Sequence, residues 1–293
     1  MQPTTKPIFS GHETFQCRHL WLKKGYDFVK SGKAFSDEDA VVELGVGKNM
    51  VTSIRYWMRA FNILEGNDHI SGFADYLFGE DGRDPYLEDD ASLWLLHYNL
   101  VRKGYATTYS LIFNELRKER MEFSKENFSK FLELKSKTDL PFQFNKNTVE
   151  SDFEVFVKLY FGSDAANKDK EEIVSGIFQE LNLIRAIQRG KQPTLYHIKT
   201  DEKEALPSEI FLFVLLTDPN IGMSVSLDAL ERNYNSVGSI FAINRSGLVQ
   251  KIESLCEKHP FLVYKDDAGI RELQFKSKPK NSFEILNAYY DGN

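Results

Sequence analysis

The segment KNMVTSIRYWMRAFNIL, Lys48 to Leu64, constrains this chain more than any other because two patterns are superposed in it. Met50, Ile54, Trp57, Met58 and Phe61 fall at intervals of three and four, which predicts a helix with one buried stripe. The other positions carry Lys48, Asn49, Thr52, Ser53, Arg55, Tyr56 and Arg59, and no acid occurs between Gly45 and Leu64. Upstream, Phe15, Leu20, Leu22 and Phe28 offer apolar anchors for a first helix, with Lys23, Lys24 and Lys30 left to solvent. Ser10 or Thr14 suits its start. A short second helix follows Ser36, whose hydroxyl suits free N–H groups, and Asp37 to Asp39 suit the positive helix end. It stops at Gly45, and Gly45-Val46-Gly47 turns the chain. Asn62 to Glu65 and His69 to Ser71, around Gly66-Asn67-Asp68, read as a small β-hairpin.

Helix, short helix, glycine turn, longer helix and hairpin is the order expected of a winged helix-turn-helix, here over residues 9–78. The chain holds 37 Lys and Arg against 43 Asp and Glu, a net charge of −6. Proteins that coat nucleic acid without sequence preference are usually basic, since phosphate neutralisation dominates such binding. A nucleic-acid role must therefore be local. The third helix supplies the groups: Lys48 and Arg59 suit phosphates of double-stranded DNA, while Asn49, Ser53 and Arg55 lie early enough to reach bases, with Thr52 beside them. The alternative is a solvated helix face that carries a few cations.

Residues 79–90 hold six acids against one arginine and read as a loop leading into the helix ASLWLLHYNLV. The middle region, 91–189, is expected to be helical: TTYSLIFNELRKER, EFSKENFSKFLELK with Ser124 as N-cap, VESDFEVFVKLYFG, a surface loop GSDAANKDKEE, and a further helix EEIVSGIFQELNLIRAI before the short strand TLYHI. The last region, 207–276, repeats the first architecture. Its helices run from Ser208 to Thr217, over LDALERN after Ser226, and from Ser246 to Lys258. GSIFAI reads as a strand or turn, and Phe261 to Tyr264 with Ile270 to Phe275 form a hairpin wing. Arg245 and Lys251 make its helix a second candidate DNA contact, although Glu253 and Glu257 offset them and a packing or protein-contact role is equally open. The expected fold class is mainly α, with winged helix-turn-helix modules joined by a helical middle region.

With 42% hydrophobic and 27% charged residues, the chain is of a folded type. Its longest apolar run, Ile210 to Thr217, is far short of the roughly 20 residues of a bilayer helix, so no membrane role is expected. The N-terminus lacks an apolar signal core, and Cys17 and Cys256 are too few for a disulfide framework; a cytoplasmic setting is expected. No phosphate loop, G-x-S-x-G elbow, H-E-x-x-H helix or C-x-x-C pair occurs, so neither cofactor nor enzymatic activity is expected. The nearest approach to chemistry is Gly11-His12-Glu13-Thr14 with Cys17, Arg18 and His19. These could supply metal ligands or a thiol with a base; the plainer reading is a helix start in which Glu13 faces the positive end and Cys17 packs as a small apolar residue.

Three separated signatures, FSGHETFQCRHLWLKKGYDFV, ASLWLLHYNL, and IFAINRSGLVQKIESL with DDAGIREL, resemble the bacterial domain of unknown function 4007 family across essentially the whole chain. The resemblance implies an accessory protein of DNA-modification and phage-defence islands. Such islands resemble DNA phosphorothioation systems and carry sulfur-transfer enzymes of the phosphoadenosine-phosphosulfate-reductase type as neighbours. It carries over no catalytic residue. Two functions follow: DNA binding through the N-terminal module, or an adaptor that scaffolds a sulfur-transfer or defence complex without strong DNA binding.

Overall fold

The computed structural model describes residues 7–140, 142–161, 176–267 and 269–292. The chain forms two compact units, residues 2–198 and residues 199–293. The first holds the stretches 9–78 and 91–189. The chain is mainly helical, with small antiparallel sheets among the described residues.

The first unit opens with α1 (Trp21–Lys30), α2 (Ala40–Leu44) and α3 (Lys48–Ala60), then the hairpin β1 (Leu64–Glu65) and β2 (His69–Ile70) and α4 (Gly72–Phe78). α5 (Asp90–Lys103) and α6 (Thr107–Leu111) follow, and α6 continues through a π-helical turn, Ile112–Leu116, into α7 (Arg117–Glu119). α8 (Lys125–Thr138), α9 (Lys146–Phe161) and the hairpin β3 (Ile184–Ile187) and β4 (Leu195–Ile198) complete it. The boundaries follow local chemistry. Gly45 ends α2 at φ 59°, a left-handed turn that costs glycine little. Asp89 caps α5 by accepting from the Ala91 N–H, and Ser124 opens α8 with a reciprocal capping box to Asn127.

Aromatic residues fill the core of this unit. Trp57 of α3 stacks on Phe61 at 5.6 Å between ring centroids and meets Tyr109 edge-on at 6.0 Å. Phe156 of α9 lies 5.6 Å from Tyr109 and 5.3 Å from Tyr160, whose hydroxyl pairs with His97 Nδ1 at 2.8 Å. Thirteen per cent aromatic content suits either a dense core or an interaction surface, and these rings are in the core.

The second unit comprises α10 (Ser208–Thr217), β5 (Ser224–Ser226), α11 (Leu227–Arg232), α12 (Val237–Ile240), α13 (Arg245–Lys258), β6 (Leu262–Asp267), β7 (Ile270–Phe275) and α14 (Phe283–Tyr290). β7 is the central strand, antiparallel to both β5 and β6. α10 buries Ile210 to Leu215 on every face, which is why its sequence reads as a continuous apolar run. Gly247 sits where a Cβ would come within 2.5 Å of the Glu202 carbonyl oxygen, so this first turn of α13 needs glycine.

Three sequence expectations change. No helix starts at Ser10 or Thr14, because Ser10, Glu13 and Thr14 take φ values of 61°, 50° and 70°; α1 begins only at Trp21, and Leu20 is left exposed. The helix expected through Ile187 does not form among its described residues: 177–182 are turns and Ile184–Ile187 is a strand. Ile177, Phe178 and Leu181 keep helical spacing, but Asn182 at φ 47° breaks it, and the ladder to Leu195–Ile198 takes over. The expected loop GSDAANKDKEE lies outside the described residues. GSIFAI is neither strand nor simple turn: Val237–Ile240 is a helical turn whose Ser236 cap accepts from the Ser239 N–H. No helix among the described residues is long and apolar enough to cross a membrane.

Replacing Phe156, wholly buried among these rings, by Ala should cost about 3–5 kcal/mol in urea unfolding. Val42→Ala, at a position 80% exposed, should change stability by no more than about 0.5 kcal/mol.

Candidate nucleic-acid interface

α3 follows Gly47, which offers no side-chain cap, so the positive end of the helix is left to solvent. Lys48, Asn49 and Thr52 are exposed, and Arg55 and Arg59 are half-buried at the edge of the same face. Lys48, Thr52, Arg55 and Arg59 stand at i, i+4, i+7 and i+11, a line of about 16 Å along the axis. Thr52 Oγ1 lies 3.4 Å from the Lys48 carbonyl oxygen, while neither the Lys48 ammonium nor the Asn49 amide has a partner among the described residues.

Ser53 does not belong to this face. It is wholly buried, with its hydroxyl unpartnered, because the inward surface of α3 is wide enough to take Ser53 as well as Ile54 and Trp57. It cannot reach DNA. Tyr56 is also inside, its ring so close to Gly11 that a Cβ there would come within 2.5 Å of it.

The two arginines share one carboxylate. Arg55 Nε and Nη2 stand 2.8 and 2.7 Å from Asp68 Oδ2, and Arg59 Nε stands 2.7 Å from Asp68 Oδ1. Asp68 sits in the turn between β1 and β2 at φ 65°. Burial pulls the Arg59 guanidinium down, but hydrogen bonds to Tyr105 and Asp68 leave it above its ordinary value. Close by, the Lys103 ammonium donates to Asn62 Oδ1 at 2.6 Å and to the Leu64 carbonyl at 3.1 Å. Its pKa is lowered by desolvation, with Arg59 adding to the effect and Glu65 opposing it.

The second candidate helix is placed differently. Arg245 at the start of α13 is held by Asp228 at 2.8 Å and Glu231 at 2.9 Å, and Arg232 also meets Glu231 at 3.6 Å, so the cluster is charge-balanced. Lys251 is buried and donates to the Leu206 carbonyl at 2.6 Å, which removes it from any surface contact. Its sequence position gave an amphipathic reading either way. A long aliphatic stem beside a free helix-flanking carbonyl decides for burial.

His12, Cys17 and His19 do not converge on a site. His12 Nδ1 accepts from the Thr14 N–H at 3.1 Å, so Nε2 carries the proton and donates to Asp152 Oδ1 at 2.9 Å. Asp152, buried on α9, also takes the Ser10 N–H at 2.8 Å and the Thr108 hydroxyl at 3.1 Å. Cys17 is fully buried and desolvation pushes its thiol well up, the reverse of what a nucleophile needs. His19 bonds the Leu87 carbonyl at 3.1 Å. The sequence reading missed Asp152, although its signal was present: Val149, Asp152, Phe153 and Phe156 lie at helical spacing on one buried face, and one of them is an acid.

A protein-family model described as "Protein of unknown function (DUF4007)" matches residues 9–290. The chain belongs to that family. No curated protein matches this DUF4007 member. Two solved structures of SspB do: a magnesium-ion-bound form at 28% identity and TM-score 0.86, and a second at 29% identity and TM-score 0.85. Each alignment covers 97% of this chain and 88% of the other. The magnesium belongs to that protein; among the described residues here, no three His, Cys, Asp or Glu side chains converge as a metal site.

Two measurements test these placements. Asp152→Ala leaves three donors without an acceptor and should cost about 3–5 kcal/mol in urea unfolding. The Lys251 ammonium is pushed down to about 8 by burial. Between about pH 8 and its unfolded value of about 10.4, the unfolded chain binds more protons than the folded one. Unfolding free energy should therefore rise with pH across that window. Lys251→Met should abolish that rise in parallel urea titrations.

Proposed function

We propose that this DUF4007 protein binds duplex DNA through the exposed face of α3, as a cytoplasmic accessory component of a DNA-modification or phage-defence system of the phosphorothioation kind. One observation carries the reading: an acid-free helix keeps Lys48, Asn49, Thr52, Arg55 and Arg59 toward solvent in a chain whose net charge is −6. α2, the glycine turn, α3 and the β1–β2 hairpin then act as a winged helix-turn-helix, with α3 in the major groove. Lys48 meets a phosphate beside the uncapped helix start, Asn49 faces a base edge with Thr52 beside it, and Arg55 and Arg59 stand at the far end of the same face. The system context comes from the family resemblance. In the second unit, α11, α13 and the β6–β7 hairpin form a winged-helix order of the same kind, but Arg245 is neutralised and Lys251 is inside, so this module serves packing or protein contact.

The exposed apolar side chains Leu20, at 59%, and Val42, at 80%, favour a second reading. In it the protein is an adaptor for a sulfur-transfer enzyme of the complex and touches DNA weakly. The two readings are separable with purified protein and a labelled duplex.

Under the DNA reading, anisotropy shows binding that weakens as salt rises from about 50 to 200 mM. Lys48→Glu abolishes most of it, and Arg55→Ala costs about 1–3 kcal/mol. A wild-type protein that ignores duplex at low salt, yet copurifies with a sulfur-transfer enzyme and loses it on Leu20→Ser or Val42→Ser, establishes the adaptor instead.

A further inference from the structure

We infer that Arg55 and Arg59 form a preset fork for a single phosphate group, and that the Asp68 carboxylate occupies this fork until a phosphate displaces it. The inference rests on the DNA-binding reading of α3 and adds to it a site, a ligand chemistry and an internal competitor.

The geometry is that of an occupied oxyanion site. One carboxylate receives hydrogens from two guanidinium groups, with Oδ2 taken by Arg55 at 2.7 and 2.8 Å and Oδ1 by Arg59 at 2.7 Å. Planar guanidinium donors match the oxygens of carboxylate and phosphate alike, so the donors that hold Asp68 suit a phosphodiester without rearrangement. Arginines at i and i+4 on a helix diverge unless something gathers them, and here Asp68 does so.

Charge stoichiometry favours the phosphate. Arg55, Arg59 and Lys103 bring three cations, against Asp68 in the fork and Glu65 beside Lys103. Lys103 itself donates to a neutral amide and a carbonyl. A phosphodiester that displaces Asp68 keeps both arginines paired, and it enters a cluster whose three cations outnumber its two acids.

Access and mobility also fit. The Arg55 side chain is 43% exposed, Arg59 28% and Asp68 20%, so the cluster stands at the surface and is not a core staple. Partly exposed ion pairs hold weakly. The ladder behind the turn that presents Asp68 has two residue pairs, Leu64 with Ile70 and Glu65 with His69, and Ser71 ties its base to Asn62 and Ile63. So short a ladder yields easily. The fork also ends the line begun by Lys48 and Thr52, so a strand whose phosphate meets Lys48 can present a later one to Arg55 and Arg59. Because Asp68 repels any polyanion that does not seat its phosphate between the arginines, the contact selects aligned duplex over loose association.

The test uses the full chain and Asp68→Asn, which preserves shape and tolerates the left-handed turn. Asp68→Gly, which φ 65° suits equally, repeats it if Asp68→Asn does not fold. Orthophosphate should raise the melting temperature of Asp68→Asn but not of wild type, and Arg59→Ala in the Asp68→Asn background should abolish the rise. Labelled duplex should bind Asp68→Asn roughly tenfold more tightly than wild type, with a slope of log affinity against log salt steeper by about 1.

If Asp68→Asn is merely less stable, gains nothing from orthophosphate and binds duplex no more tightly, Asp68 is a structural tie and the inference is overturned. If wild type still binds duplex in that case, the DNA reading survives alone. If neither protein binds duplex but orthophosphate stabilises Asp68→Asn through Arg59, the fork stands as a site for a smaller phosphate and the DNA reading falls.

Discussion

The burial of Trp57 sets the rotation of α3, and through it the interface. Its ring is enclosed by Phe61, Tyr109 and His12, and its indole N–H donates to the Phe15 carbonyl at 3.0 Å. An aromatic side chain so enclosed contributes several kilocalories per mole through area alone, and the hydrogen bond fixes its angle. At 100° per residue, rotating the helix to bury any other face would expose that ring. Lys48, Thr52, Arg55 and Arg59 therefore stand outside because Trp57 stands inside.

Given that placement, counting charges decides which of the two units offers a cationic surface. At α3 two arginines share one acid, which leaves a surplus positive charge; at α13 Arg245 and Arg232 face Asp228 and Glu231, which leaves none. Exposed pairs of this kind add little stability. Their effect lies in the local field they leave behind, which is positive at α3 and balanced at α13. A net charge of −6 is thus compatible with a local phosphate site, and it also discourages nonspecific coating of nucleic acid.

How much of this was legible in the sequence depended on the range of the interactions involved. The borders of α3, the left-handed Gly45, the β1–β2 hairpin and the capped starts of α5, α8 and α11 rest on contacts within a few residues, and the sequence shows them directly. The strand Ile184–Ile187 did not show, because its partner Leu195–Ile198 comes later in the chain and its own spacing fits a helix equally well. The exposed stripe was legible except for Ser53, where a small polar residue gives no sign of which side of a wide buried face it joins. Asp68 was read only as a turn residue. That it gathers Arg55 and Arg59 depends on the hairpin folding back over α3, which no local pattern encodes.

The segment that most resembled chemistry in the sequence, Gly11 to His19, shows why motif and mechanism must be separated. Its His12 is paired with Asp152 as in a proton relay, but the pair is sealed, the tautomer is fixed by Thr14, and the thiol nearby is held protonated by burial. What the segment does is mechanical. Gly11 lets the left-handed turn close on the Tyr56 ring, and Asp152 fastens that turn to α9 through Ser10 and His12. α3 is thereby gripped from a second side, one turn of chain against Tyr56 and the aromatic core against Trp57. The buried acid costs stability unless all three of its donors are present, so the grip is all-or-none. A helix held in this way presents its outer residues at fixed spacing.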